Sequence, residues 1–272
     1  MKTWFITGAS RGFGALIMEA ALASDAVVAT ARDPSSIADH PRLLKLPLDV
    51  TNEAQARDAA ARAIEKCGGI DVLVNNAGYG LLGAVEEASA IEVERVFATN
   101  VFGLLNVTRA VLPYMRSQHS GHIINMSSIG GYASSPGWGI YCATKFAVEG
   151  ISEALSRELA PLGIHSTVVE PGYFRTDFLS AQSLSSTAGR IDDYADTVGK
   201  MRSFAAAVHH QQPGDPQLLA QAIVRLAAAP KPPTRLALGS DTVARIKGKH
   251  RDVERELDLW RTVSLSTDFA SA

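Results

Sequence analysis

Two cysteines in 272 residues are too few for a disulfide framework. Cys67 and Cys142 also lack any C-x-x-C or metal-ligand spacing, so both are expected to stay reduced. An excess of charge of one sign is missing too. The chain has 26 Lys and Arg against 28 Asp and Glu, a formal net charge of -2, which offers no electrostatic handle to nucleic acid or an anionic membrane. No apolar run approaches the roughly 18 residues of a membrane span. Trp4-Phe5-Ile6 is shorter than the apolar stretch of a signal peptide and reads as a buried first strand. A soluble, cytoplasmic protein with no nucleic-acid or membrane partner is the expectation. The seven histidines are scattered. Their one local cluster, His209-His210, reads as solvated rather than as a substrate contact or metal ligand, and no metal site is expected. Internal repeats and low-complexity tracts are absent from the sequence.

What is present is an alternation of strand and helix patterns without a linker. Apolar runs at 2–7, 26–31, 43–46, 70–74, 122–126, 166–170 and 235–238 read as strands. Their unbroken apolar character suits a sheet buried on both faces. Helices are expected at 13–23, from the Asn52 cap to about 66, over 88–117 with a bend at Pro113, over 138–160 and over 216–229. The pattern weakens at about 173–212, a stretch long enough to be a substrate lid. A charged extension over 241–272 keeps a helical stripe of Val243, Ile246, Val253, Leu257 and Trp260, suited to core or subunit packing. The sum is a single α/β domain over 1–272: a doubly wound, parallel, seven-stranded sheet with helices on both faces.

The first strand runs into Thr7-Gly8-Ala9-Ser10-Arg11-Gly12-Phe13-Gly14 and then a helix, the strand-turn-helix context of a dinucleotide-binding Rossmann unit. Gly8 permits the tight turn, Gly12 lets backbone approach a pyrophosphate, and Gly14 allows close helix packing. The helix N-terminus then presents free N–H groups and a positive dipole end. The second strand ends Ala29-Thr30-Ala31-Arg32-Asp33, with alanine where an NAD site places its ribose-binding acid, and arginine next. Arg11 can approach a 2′-phosphate from the other side. NADP is therefore expected in preference to NAD, Asp33 being the residue able to counter Arg32.

Tyr141 and Lys145 stand four apart on a predicted helix, which places phenol and ammonium side by side. Two unit charges about 4 Å apart at an effective dielectric of about 20 interact by roughly 4 kcal/mol. That is worth about three pK units, enough to bring a phenol from about 10 to about 7. Such a phenol trades protons at neutral pH.

The series Thr7-Gly8-x-x-x-Gly12-x-Gly14, Asn75-Asn76-Ala77-Gly78, Asn100, Ser128, Tyr141-x-x-x-Lys145 and Pro171-Gly172 resembles, in order, the motifs of short-chain dehydrogenases/reductases. The resemblance covers about the first 240 residues. It implies a catalytic tetrad of Asn100, Ser128, Tyr141 and Lys145. Tyr141 would exchange a proton with the carbonyl oxygen and Ser128 would hydrogen-bond that oxygen. Lys145 would depress the tyrosine pKa and grip the nicotinamide ribose, while Asn100 would hold a proton-relaying water. Ser127 competes with Ser128, but the thirteen-residue offset to Tyr141 matches the family only for Ser128. The resemblance further implies dinucleotide contacts at Gly8, Ser10, Arg11, Gly12, Phe13, Gly14, Arg32, Asp49, Val50, Asn76, Ala77, Gly78, Tyr141, Lys145, Pro171, Gly172 and Thr176. A homodimer or homotetramer is implied as well.

Residues 130–139 with Tyr132 and Trp138, together with Tyr79, Leu81 and the lid aromatics, make an apolar surround with few cations. A neutral hydrophobic ketone or alcohol fits it better than an acyl-phosphate or CoA ester, which would want Arg or Lys at the mouth. Ala-Thr-Ala-Arg-Asp at 29–33 and Pro232-Pro233-x-Arg235-Leu236 look similar to the hydroxysteroid and retinol dehydrogenase branch. Two other readings keep the fold: a lyase related to the family, and a dinucleotide-sensing regulator without turnover. Lyases of this kind spoil the glycine turn and replace the lysine, and sensors lack the tyrosine or lysine; both features are intact here.

Overall fold

The computed structural model describes residues 1–269. Seven strands form one parallel sheet: β1 Thr3–Thr7, β2 Ala26–Ala31, β3 Leu43–Pro47, β4 Val72–Asn75, β6 Gly121–Met126, β7 Ile164–Pro171 and β9 Arg235–Leu238, in the order β3-β2-β1-β4-β6-β7-β9. The order reverses beside β1, the switch point where α/β sheets open a crevice at the strands' carboxyl ends. The expected single-domain, doubly wound α/β fold is what the chain adopts.

Period-two alternation sorts the core into two layers. Trp4 and Ile6 of β1 face one way, with Ile17 of α1 (Gly12–Leu22) and Leu219 and Ile223 of α7 (Pro216–Ala228). Phe5 faces the other way, into a layer built by α2 (Glu53–Cys67), α4 (Leu104–Gln118) and α5 (Gly139–Leu159). Each such large side chain, fully buried, contributes roughly 1.5–3 kcal/mol. Asn52 caps α2 as expected, its side chain accepting from Gln55 N, and Gly68 ends the helix in the left-handed conformation.

Several local expectations are corrected. The break in the long helical region is not at Pro113, which lies inside α4. It is a π-helical turn, Ala98–Gly103, between α3 (Ala90–Phe97) and α4, where Gly103 packs so closely on Val50 that a Cβ would lie 2.6 Å from the valine Cγ2. The continuous run Ala90–Gln118 is also, by length and composition, apolar enough to cross a membrane, contrary to the sequence reading. Here Val96, Val101, Val107, Val111 and Met115 are buried in the domain core, which explains their hydrophobicity. The stripe on α8 (Ser240–Leu265) is not core: Leu257 and Trp260 are 62% and 64% exposed, and Thr242 is the helix's one buried residue.

The irregular region after β7 is folded against the body. It contains β8 (Leu184–Ser186), which pairs in parallel with β5 (Gly80–Leu82), and α6 (Lys200–Ala207). Its main anchor is the Glu87–Arg202 pair, 2.6 Å apart with side chains 0% and 13% exposed. Glu87 also accepts from Ala84 N and Ile191 N. The Arg202 guanidinium holds the Glu87 carboxyl down to about 2, well below the usual carboxylate range. Because the folded value is depressed, the pair's contribution is complete above about 4.5 and is lost as pH falls toward about 2. Arg202→Ala strands a buried carboxylate and is expected to cost about 3–5 kcal/mol at pH 7. In urea titrations the gap between variant and wild type should narrow from pH 7 to pH 3, and a gap independent of pH would refute the assignment.

Candidate active site

The glycine turn needs its glycines for two different reasons. Gly8 and Gly12 have φ of +64° and +56°, where a side chain is strained. Gly14 is helical, but a Cβ there would lie 2.3 Å from Gly8 O and 2.5 Å from Asn76 Nδ2. Asn76 is the clamp: its Nδ2 donates to Thr7 O at 2.9 Å and Gly8 O at 3.1 Å. The Thr7 hydroxyl accepts from both Asn76 N and Ala77 N at 3.0 Å, a role the sequence reading missed. Asn75 braces the sheet behind, donating to Thr108 and Asn125.

The start of α1 has no side-chain cap and no acidic residue in its first turn, unlike α2 and α7, which Asn52 and Asp215 cap. Its first N–H groups are thus left uncapped, an arrangement that fits a dinucleotide pyrophosphate. Ser10, Arg11 and Arg32 are exposed around it, with Phe13 half-buried against Phe174. Arg11 donates to Gln182 O at 2.6 Å, tying the region after β7 to the turn. Asp33 is engaged in an Asx turn with Ser35 N at 2.9 Å rather than in an ion pair with Arg32, and Arg32 has no ion-pair partner among the described residues. Asp49 holds a turn of its own through Thr51 N and Oγ1, beside buried Val50.

Ser128, Tyr141 and Lys145 converge beyond the ends of β4, β6 and β7. Ser128 leaves β6 extended, and its Oγ accepts from Gly130 N at 3.1 Å. Both Ser128 Oγ and the Tyr141 ring lie within 4 Å of the position a Gly130 Cβ would take. Ser127 points elsewhere, to Gly131 and Glu149. Tyr141 and Lys145 are each 7% exposed. The Lys145 Nζ donates to Met126 O at 2.8 Å and stands 5.7 Å from the tyrosine ring centroid.

This corrects the charge arithmetic made from sequence. Burial pushes the Tyr141 phenol well above its usual range, opposed by a hydrogen bond with Ser128; Lys145 is not among the groups that lower it. Burial also brings the Lys145 ammonium down to about 8, while Glu149 acts to raise it. The helix spacing placed the two side chains correctly, but loss of water around both outweighs their mutual field.

Asn100 lies in the π-helical turn, 2% exposed. Its Oδ1 accepts from Tyr79 N at 3.0 Å, and its Nδ2 donates to Tyr79 O at 2.9 Å and Thr144 Oγ1 at 3.1 Å. A Cβ on Gly78 would lie 3.0 Å from that Oδ1 and 3.8 Å from Lys145 Nζ, so amide and ammonium flank the same glycine. Gly172, after Pro171, is held by a residue not foreseen: Asp241 at the start of α8 accepts from Tyr173 N at 2.8 Å, where a Gly172 Cβ would lie 2.2 Å from its carboxylate. Thr176 caps a short turn through Phe178 N. Around the phenol, Leu82, Trp138, Cys142 and Ala205 are buried, with Phe178, Leu179, Leu184 and Met201 packed against them. In the region after β7, polar atoms of Asp177, His209 and His210 lie within 4.8 Å of one another, closer than the sequence suggested, with His210 paired to Asp177 at 3.3 Å.

A family model described as short chain dehydrogenase matches residues 2–186. A 3-ketodihydrosphingosine reductase of Bacteroides thetaiotaomicron is 42% identical over 236 residues, 86% of each chain. A short-chain dehydrogenase from Streptomyces avermitilis superposes with a TM-score of 0.91 at 41% identity, over 98% of this chain and 100% of that one. A short-chain dehydrogenase/reductase from Burkholderia phymatum in complex with NAD has a TM-score of 0.82 at 26% identity, over 94% and 95% of the two chains. Other solved neighbours at 27–28% identity hold NADP. The overall fold thus recurs in proteins solved with NAD or NADP bound, and the chain belongs to the short-chain dehydrogenase/reductase family of oxidoreductases.

Proposed function

We propose that this chain is an NADP(H)-dependent oxidoreductase acting on a neutral, hydrophobic ketone or the matching secondary alcohol. The observation that carries the reading is the convergence of Ser128, Tyr141 and Lys145, with apolar side chains packed around the phenol and Lys145 flanking Gly78. A bound nicotinamide dinucleotide supplies or accepts the hydride. Tyr141, protonated at neutral pH in its buried setting, gives its proton to the carbonyl oxygen. The Ser128 hydroxyl donates to the same oxygen as negative charge develops there. Lys145 adds positive charge 5.7 Å from the centre of the phenol ring and would hold the ribose of the bound dinucleotide. Asn100 braces the Tyr79 backbone beside Lys145 and keeps a second lone pair on Oδ1 for a relaying water.

The apolar lining supports a hydrophobic substrate, as does a relative whose name states reduction of a keto group. Exposed Phe102 and Phe146 support a homodimer or homotetramer. The uncommitted Arg32, with Asp33 turned to Ser35, supports NADP. Arg32→Ala should therefore raise the KM for NADPH by about 10- to 100-fold, the worth of one or two charge-assisted hydrogen bonds, and leave that for NADH nearly unchanged. Equal losses would remove the NADP assignment. The enzyme reading is tested by NADPH oxidation against a panel of aliphatic, cyclic and steroidal ketones. Tight NADPH binding with no carbonyl reduced would make the chain a dinucleotide sensor instead.

A further inference from the structure

Behind the reacting pocket lies a buried charge cluster that the mechanism above does not use. Tyr141, Lys145 and Glu149 follow one another at four-residue intervals on one face of α5, and Glu149 is only 5% exposed. The Glu149 Oε2 meets Arg235 of β9, whose guanidinium also reaches Glu153 at 2.8 Å and Glu170 at 3.3 Å. Glu170 immediately precedes Pro171-Gly172, so one cation ties the lysine's helix to the strand that carries this turn.

We propose that Glu149 is a positioning residue for the reaction, acting through Lys145: its carboxylate, held by Arg235 one turn beyond the lysine, sets the charge of the buried ammonium. This rests on the reading of Tyr141 and Lys145 given above. Lys145 has no carboxylate in direct contact among the described residues, its recorded hydrogen bond going to a neutral carbonyl. Glu149 is the one charged group acting against the burial that brings the ammonium to about 8. The carboxylate meets Arg235 on β9, which gathers Glu153 of α5 and Glu170 of β7 around it; Ser127 after β6 stands beside it at Gly131, and Lys145 lies one turn back on α5. Across a cavity of about 450 Å³ stand Lys249, His250 and Glu254 of α8. The Glu149 Oε1 and Ser127 Oγ are buried together against Gly131. Burial first, and Glu170 after it, push the Glu149 carboxyl up to about 7, with Ser127 and Arg235 opposing. Its charge therefore changes within the working range, and because Glu149 lines the cavity, its proton need not cross the substrate pocket.

The test is the pH dependence of kcat for Glu149→Gln. With the negative charge gone, Lys145 loses its proton at lower pH, so the alkaline limb should move down by about one unit. That is about a fivefold loss at pH 8 and little loss at pH 6, where the wild-type carboxyl is itself mostly protonated. The KM for the dinucleotide should hold, and Glu149→Asp, which keeps the charge, should return most of the shift. An equal loss at every pH would mark a merely structural residue and overturn the proposal, as would an unmoved limb. A second measurement needs neither variant to fold. In wild-type protein with 13C-labelled lysine, the Lys145 ε-carbon, assigned by its loss in Lys145→Arg, should sense a titration near pH 7 before its own; a single step overturns the proposal. If the wild type reduces no carbonyl, the functional reading fails while this titration still decides the charge coupling.

Discussion

Tyr141→Phe is expected to lower kcat for carbonyl reduction by about 10³-fold, within the 10²–10⁴ range that a positioned proton donor supplies. Dinucleotide affinity should stay within about twofold, since uniform binding is untouched when only a transition-state interaction is removed. The ring keeps its packing against Trp138 at 5.6 Å and Phe178 at 5.7 Å. Ser128 keeps its backbone partner at Gly130, so no buried polar group is newly orphaned and the melting temperature should barely move. A variant that is folded, binds NADPH and is inactive isolates the missing proton. Retained turnover would show that another group donates it, and the proposed chemistry would fall.

The same substitution bears on direction. Charge arithmetic from the sequence places the phenol near neutrality, equally able to give or take a proton. In the fold both partners are stripped of water, and the phenol stays protonated well above its usual range while the ammonium weakens to about 8. Burial thus leaves Tyr141 protonated at neutral pH, the form that the proposed carbonyl reduction requires. Spacing conveys proximity, but desolvation depends on what α5 and the region after β7 bury around the pair, and those residues come from distant parts of the chain.

A similar division runs through the rest of the molecule. The strands were legible because a parallel sheet covered on both faces writes itself as continuous apolar runs. Gly80–Leu82 and Leu184–Ser186 are only three residues each, too short for any period, so their pairing was invisible. The π-helical turn was hidden because Asn100 and its neighbours satisfy an ordinary helical pattern, and the Tyr79 and Thr144 that Asn100 bonds there are 21 and 44 residues away. Glu87–Arg202 and Asp241–Tyr173 join residues 115 and 68 apart, beyond any local signal. Glu149 was the exception: one turn beyond Lys145, a carboxylate repeating the very spacing that singled out the tyrosine.

Gly14→Ala and Gly12→Ala should separate the two jobs of the glycine turn, and Gly14→Ala carries the larger effect. A methyl at Gly14 meets Gly8 O at 2.3 Å, Gly8 C at 2.9 Å and Asn76 Nδ2 at 2.5 Å. Two of these are backbone atoms of a turn already fixed by β1, and the third donates both bonds that hold that turn to β4. None is the free end of a flexible side chain, so α1 must move away or the Asn76 clamp must open. Overpacking of this kind costs about 1–3 kcal/mol, and NADPH affinity should fall by about 100-fold or more as the N–H groups at the head of α1 lose their aim. At Gly12 a Cβ meets nothing within 4 Å, so only the left-handed φ of +56° is penalised, by about 1–2 kcal/mol. That methyl stands on the open side of the turn, where a phosphate would approach, so binding should suffer more than folding. Fluorescence titration with NADPH and thermal melts of both variants provide the comparison. A Gly14→Ala protein that binds NADPH within threefold of wild type would mean that the close packing of α1 on the turn is not what shapes the anion site.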